Sequence, residues 1–187
     1  MSIESPKYEV LFKAGDFETR QYNPYIVAET VVDGDFESAS SAGFRKLAGY
    51  IFGGNTSKQK IAMTAPVGME QNKSEKIAMT APVGQEQKGS KFVITFTMPS
   101  SYNLESLPVP KDKDVVLKAI PEKTYASIRF SGTWSKVRYE EHLALLNKWI
   151  DERHYEKLGD PNYARYNPPW TLWFMRRNEI LIEIKKP

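Results

Sequence analysis

Two histidines, His142 and His154, and no cysteine occur in this 187-residue chain. Imidazole and thiolate are the side chains that most often ligate transition metals or move protons near neutral pH, so this short supply narrows the chemistry. Disulfide frameworks, thiolate-ligated metal centres and cysteine nucleophiles are excluded together, as is any site built on three imidazoles. The serine pairs Ser40-Ser41 and Ser100-Ser101 lack the Gly-x-Ser-x-Gly setting of a nucleophile held on a tight turn. Glu179 and Glu183 follow an aromatic stretch holding Trp170 and Trp173, and an apolar wall of that kind raises a carboxyl pKa toward general acid or base work. Weaker donors are Met63 and Met79, for which core packing is the better account, and the tyrosines at 22, 25, 50 and 166, none of which stands out among ten.

Those residues need a scaffold, and the periodicity supplies one. Residues 25–32, Tyr-Ile-Val-Ala-Glu-Thr-Val-Val, are β-branched and bounded by Asn23-Pro24 and Asp33-Gly34, which predicts a strand. From Asp35 to Phe52 the apolar positions Phe44, Leu47, Ala48 and Ile51 fall at helical spacing before Gly53-Gly54. Strands are expected at 92–98 and 123–130. A second helix starts at Ser135 with a stripe of Tyr139, Leu143, Leu146 and Ile150, His142 bordering the stripe and His154 near its end. Residues 170–175 and 179–184 are expected to form a hairpin around Arg177-Asn178. The order strand, helix, strand, strand occurs twice. It predicts an α+β fold: a distorted antiparallel β-barrel with two helices, made from duplicated β-α-β-β units related by a pseudo-two-fold.

A literal repeat lies inside this pattern. Lys60-Ile-Ala-Met-Thr-Ala-Pro-Val-Gly-Met-Glu-Gln71 recurs as Lys76-Ile-Ala-Met-Thr-Ala-Pro-Val-Gly-Gln-Glu-Gln87. Each copy reads as a short strand ending at its proline, which lacks an amide donor. Residues 100–114, with Pro108 and Pro110, read as a long loop and not as a boundary, so residues 1–187 are expected to form one domain. With 26 Lys+Arg against 23 Asp+Glu the charge is only +3, and the basic runs are Arg176-Arg177 and Lys185-Lys186. No nucleic-acid footprint is expected from that distribution. Residues 1–7 do not resemble a signal peptide and no apolar run is long enough to span a bilayer, so a cytoplasmic monomer without a membrane span is expected.

Several blocks carry a resemblance. Phe17-Glu-Thr-Arg-Gln-Tyr22, Gly43-Phe-Arg-Lys-Leu47 leading to Tyr50-Ile-Phe-Gly-Gly-Asn55, Ile61-Ala-Met-Thr-Ala-Pro-Val67, Phe96-Thr-Met-Pro99, Tyr166-Asn-Pro-Pro169 and Arg176-Arg-Asn-Glu179 occur in this order. The ordered set, from about Tyr8 to Ile184, resembles the SOUL heme-binding family. The resemblance implies the gyrase-inhibitor-like effector-binding fold and non-catalytic binding of heme or other tetrapyrroles as a carrier or buffer. The doubled Ala-Met-Thr-Ala-Pro-Val stretch is similar to that of bacterial members, animal members having one copy.

Heme is a flat apolar macrocycle with carboxylates on one edge, so a site needs apolar walls, cationic anchors and optionally one axial donor. Some animal members are proposed to ligate iron with a histidine in the Glu-x-Arg-x-Tyr stretch, and Gln21 stands at that position here. Binding with weak or no axial ligation follows, with no metal-ion site of the protein's own, and metal-free protoporphyrin is expected to bind about as well as heme. The expected site residues are Phe44, Arg45, Leu47, Ala48, Ile51, Met63, Trp170, Trp173, Arg176 and Arg177, with the arginines and Lys46 as partners for propionates. Two alternatives remain: a small-molecule hydrolase of the same superfamily using Glu179 or Glu183, and an effector-sensing module docking through the first helix or the 100–114 loop.

Overall fold

A computed structural model describes residues 3–58 and 74–186. Eleven strands and two helices follow one another as β1 (Tyr8–Ala14), β2 (Phe17–Tyr22), β3 (Tyr25–Val32), α1 (Phe36–Ile51), β4 (Asn55–Thr56), β5 (Val83–Lys88) and β6 (Lys91–Thr97). The chain continues as β7 (Val109–Pro110), β8 (Val116–Ile120), β9 (Lys123–Phe130), α2 (Lys136–Glu152), β10 (Asn162–Arg165) and β11 (Asn178–Glu183). Nine strands make one antiparallel sheet in the order β1-β2-β9-β11-β10-β5-β6-β3-β8, and β4 pairs with β7 alone. The sheet is curled into a half-barrel with the helices on one face.

The duplication is visible in the strand order. One unit is β3-α1-β5-β6 and the other β9-α2-β10-β11, and the halves 9-11-10 and 5-6-3 are mirror sequences that meet where β10 pairs with β5. At that seam Asn162 lies opposite Glu86 and Arg165 opposite Val83.

Both helices are capped by side chains, α2 by the expected Ser135. Asp35 accepts from the backbone N–H groups of Glu37 and Ser38, while Ser38 Oγ accepts from the Asp35 N–H, a reciprocal box. Ser135 Oγ accepts from the Arg138 N–H at the start of α2. The α1 stripe buries Leu47, Tyr50 and Ile51 against the sheet, and Gly43 lets the helix lie close, since a Cβ there would sit 2.3 Å from Ile94. The α2 stripe buries Leu146, Trp149 and Ile150, and Trp149 stacks on Phe17 at 5.3 Å.

Two expected elements are corrected. The first repeat copy lies outside the described residues. In the second, residues 76–82 are extended but unpaired in the sheet, and the strand begins at Val83, after the proline instead of before it. The amides of that run are committed elsewhere: Ile77 N–H donates to Ile51 O and Ala81 N–H to Glu4 O, both at 2.8 Å, and the Thr80 hydroxyl donates to Thr97 O. The expected hairpin of 170–175 with 179–184 also does not form. Both edges of β11 are taken by β9 and β10, so no ladder position is left for residues 170–175, which instead make a 3-10 turn at Trp173–Met175.

Candidate functional site

Between β10 and β11 the chain leaves the sheet as a loop that exposes an unusual run of apolar side chains. Trp170 is 82% exposed, and Leu172, Trp173, Phe174 and Met175 are each more than half exposed. Its backbone is nevertheless fixed. The Arg176 guanidinium donates from Nε to Thr171 O at 2.8 Å and from Nη2 to Pro169 O at 2.6 Å. Gly132 N–H donates to Trp173 O, and Arg177 N–H to Asn167 Oδ1. A contiguous apolar surface held out by a rigid loop marks a binding site far more often than scattered exposed residues do.

The loop walls a cleft of about 590 Å³ against α2 and the end of β9. Its apolar lining comes from Phe17, Phe130, Leu145, Phe174 and Met175, and its cations are Arg129, Arg138 and Arg176. His142 also lines it. The imidazole stacks on Phe130 with ring centroids 3.8 Å apart, and Nδ1 sits 2.7 Å from Arg138 O. A carbonyl oxygen can only accept, so Nδ1 is the donor, and in the neutral ring Nε2 carries the lone pair. A second cavity, about 410 Å³, runs under residues 4–7 between Tyr25, Met98, Pro99 and Tyr102 and has no cluster of cations.

The expected site residues separate. Trp170 and Trp173 stand on the exposed loop, and Arg176 lines the cleft. On α1, Leu47 and Ile51 are fully buried, so the stripe expected to wall a groove goes to the core, with Ala48 packed partly buried beside it. Phe44 meets Phe96 edge-on at 5.3 Å. Arg45 is exposed and donates to Ser41 O, and Lys46 pairs with Asp114. Met63 lies outside the described residues. Gln21 sits on β2 between Glu9 and Thr124.

Arg177 faces the opposite side of the sheet, where a charge cluster is buried among tyrosines. Glu179 is fully buried. Arg20 grips both its oxygens, at 2.6 and 3.0 Å, Arg177 donates to Oε1 at 2.9 and 2.8 Å, and the Tyr166 hydroxyl donates to Oε2 at 2.9 Å. Tyr8 and Tyr22 pack 4.8 Å apart beside it, and Arg20 lies over the Tyr8 ring. Burial pushes the Tyr22 hydroxyl up to about 12 and Tyr166 well above its ordinary value. Glu183 is half-buried and pairs with Lys123 at 2.6 Å. Every acceptor position of Glu179 is filled by a donor of the protein itself, which leaves no lone pair for a substrate proton.

Phe17, Phe130, Arg138 and Leu145 were missing from the expected set because β2, β9 and α2 are far apart in sequence; within α2, Arg138, His142 and Leu145 share the i, i+4, i+7 face, a spacing that could have flagged them. The Arg20–Glu179 pair had a signal in Phe17-Glu-Thr-Arg-Gln-Tyr22, where Glu18, Arg20 and Tyr22 alternate onto one face of a strand.

The SOUL heme-binding protein family profile matches residues 3–183. The chain belongs to that family. Among SOUL-family relatives, the human protein named Heme-binding protein 2 is 30% identical over 199 residues, covering 100% of this chain and 89% of its own. Heme-binding protein 1 of Xenopus laevis is 26% identical, covering 87% and 84%. In solved structures the likeness extends to the fold alone. The EcmrR C-terminal domain superposes with a TM-score of 0.64 at 10% identity, over 96% of this chain and 99% of that one. A protein from Listeria innocua described as a hydrolase gives 0.57 at 12% identity, over 91% and 92%.

Proposed function

We propose that this SOUL-family chain binds heme or a related porphyrin without catalysis, as a carrier or buffer, in the cleft between the 170–176 loop and α2. The observation that carries the reading is the rigid, exposed aromatic loop facing apolar walls and three arginines across a cavity of about 590 Å³. That volume falls in the range of small-molecule sites, and the pairing of flat apolar surface with cations on one side matches a macrocycle carrying carboxylates on one edge. Loop side chains that are more than half exposed would be covered by the ligand, and each fully buried aromatic contributes about 1.5–3 kcal/mol.

The residues present fit the group. Phe130, Leu145, Phe174 and Met175 would take the faces of the macrocycle, and Arg129, Arg138 and Arg176 its propionates. His142 Nε2 is the nitrogen donor at the cleft wall. Bound iron would add a Lewis-acid centre. Affinity would rest mainly on apolar area, with weak or no iron ligation, because Gln21 is a poor iron donor and the chain has no cysteine. The saturated Glu179 supports binding without hydrolysis.

Titration with hemin and with metal-free protoporphyrin, followed by Soret absorption and by fluorescence, tests this. Affinities for the two within about tenfold are expected. Binding of neither would overturn the function, and a preference for hemin above a hundredfold would overturn the weak-ligation part alone.

A further inference from the structure

We propose that Arg138, Arg165 and Arg176, with the Tyr163 hydroxyl, form an oxyanion site that takes a carboxylate of the ligand held in the neighbouring cleft. The inference rests on the cleft reading above and specifies which groups meet the ligand's charge. Arg138 Nε, Arg165 Nε and Tyr163 Oη are all shut off from solvent and without a hydrogen-bond partner. Buried polar groups are almost always satisfied, so three orphan donors in one neighbourhood call for a partner. They do share a neighbourhood. Arg165 and Arg176 both lie over the Trp134 ring, at 5.5 and 4.5 Å, Arg165 lies 5.8 Å from the Tyr163 ring, and all three guanidiniums act electrostatically on the Tyr163 hydroxyl.

Asp16 is the one carboxylate among the described residues that lines the cleft with Arg138 and Arg176, and it pairs with neither. Among the described residues none of the three arginines makes an ion pair, in contrast to Arg20 and Arg177, which share Glu179. All three side chains are partly exposed, but a donor nitrogen shut off from water without a partner is costly, and proteins that keep one generally reserve it for a ligand or a partner. Burial pushes the Arg165 guanidinium down to about 10 and the Tyr163 hydroxyl up to about 12, so at neutral pH one is cationic and the other a neutral donor.

The local frame is fixed. Trp134 Nε1 donates to Asn178 Oδ1 at 2.8 Å, and Asn178 in turn donates to Gly132 O. Gly132 makes room for the Arg138 guanidinium, since a Cβ there would lie 2.5 Å from its Nε. Arg138 and Arg176 open onto the cleft. Planar guanidinium forks match a carboxylate, and the apolar walls beside them select an amphiphile that carries one.

The test compares protoporphyrin with its dimethyl ester, by fluorescence titration of the whole chain and of Arg165→Met. The wild type is expected to favour the free acid by tenfold or more. In Arg165→Met that preference should fall below threefold, with the affinity for the ester unchanged. Equal binding of acid and ester by the wild type would overturn the oxyanion site and leave the cleft reading standing. If the wild type binds neither porphyrin, the cleft reading falls. Melting with added inorganic phosphate or acetate at constant ionic strength then decides the oxyanion site: a saturable rise in Tm absent from the variant supports it, and no rise overturns it. Should Arg165→Met fail to unfold cooperatively, Arg138→Met carries the same comparison, because Arg138 takes part in the α2 cap only through its backbone N–H.

Discussion

Glu179→Gln is the perturbation that most sharply separates the two faces of the sheet. The side chains of Arg20 and Glu179 are 2% and 0% exposed, so neither can be rescued by water. The amide keeps the shape but removes the charge, and its N–H group must face an arginine or tyrosine that also donates. Removing one member of a buried ion pair costs about 3–5 kcal/mol, against about 0.5 kcal/mol for an exposed helix pair such as Lys136–Glu140. For a chain of this length each kcal/mol is worth about 2–4 °C, so Tm should fall by roughly 6–20 °C. Urea unfolding followed by circular dichroism measures the loss directly. Arg20→Met combined with Glu179→Leu should cost less than Glu179→Gln alone, since Arg177 is 27% exposed and can turn outward once the carboxylate is gone. Porphyrin affinity measured below the melting range should stay within about threefold of wild type, because the cluster and the cleft lie on opposite faces. A Glu179→Gln variant within about 1 kcal/mol of wild type would refute the reasoning.

Three further outcomes follow. Burial raises Tyr22, Tyr139 and Tyr163 to about 12, so the folded chain holds these protons more tightly than the unfolded one. The stability they contribute is complete below pH ~10 and is lost as pH rises toward 12, at up to roughly 3 kcal/mol for each. Tyrosinate absorbance should therefore appear together with unfolding, and its full development at pH 10 in a folded protein would contradict the burial. Deletion of residues 60–75 should leave a chain that unfolds cooperatively. Asn55 exchanges hydrogen bonds with the Glu75 backbone and Ser57 with its carboxylate, so the two ends of the segment are adjacent; loss of a cooperative transition would show that the doubled segment is needed. His142→Ala should lower hemin affinity less than tenfold and protoporphyrin affinity equally, whereas a selective hundredfold loss for hemin would make His142 an axial ligand.

The duplicated β-α-β-β order was legible because strand and helix periods alternate cleanly, and the cap at Ser135 stands where the sequence puts it. What misled was local character without its tertiary competitor. Residues 170–175 look like a strand by composition, yet β11 already has β9 and β10 as neighbours. Leu47 and Ile51 look available on a helix stripe, yet the sheet takes them. The tryptophans and Arg176 were picked out from the sequence as large aromatics beside arginines in a Pro-rich segment. Phe130, Arg138, Leu145 and Arg165 were not, since they come from β9, α2 and β10 and only the tertiary fold brings those elements together.

The central claim is that the 170–176 loop and α2 together hold a porphyrin, and Phe174→Asp measures it most directly. Phe174 is 55% exposed, so the change should leave Tm within about 2 °C. Losing its apolar contact and placing a carboxylate in the cleft should weaken protoporphyrin binding, read by fluorescence titration, by at least tenfold. Unchanged affinity in a fully folded Phe174→Asp variant would contradict the account.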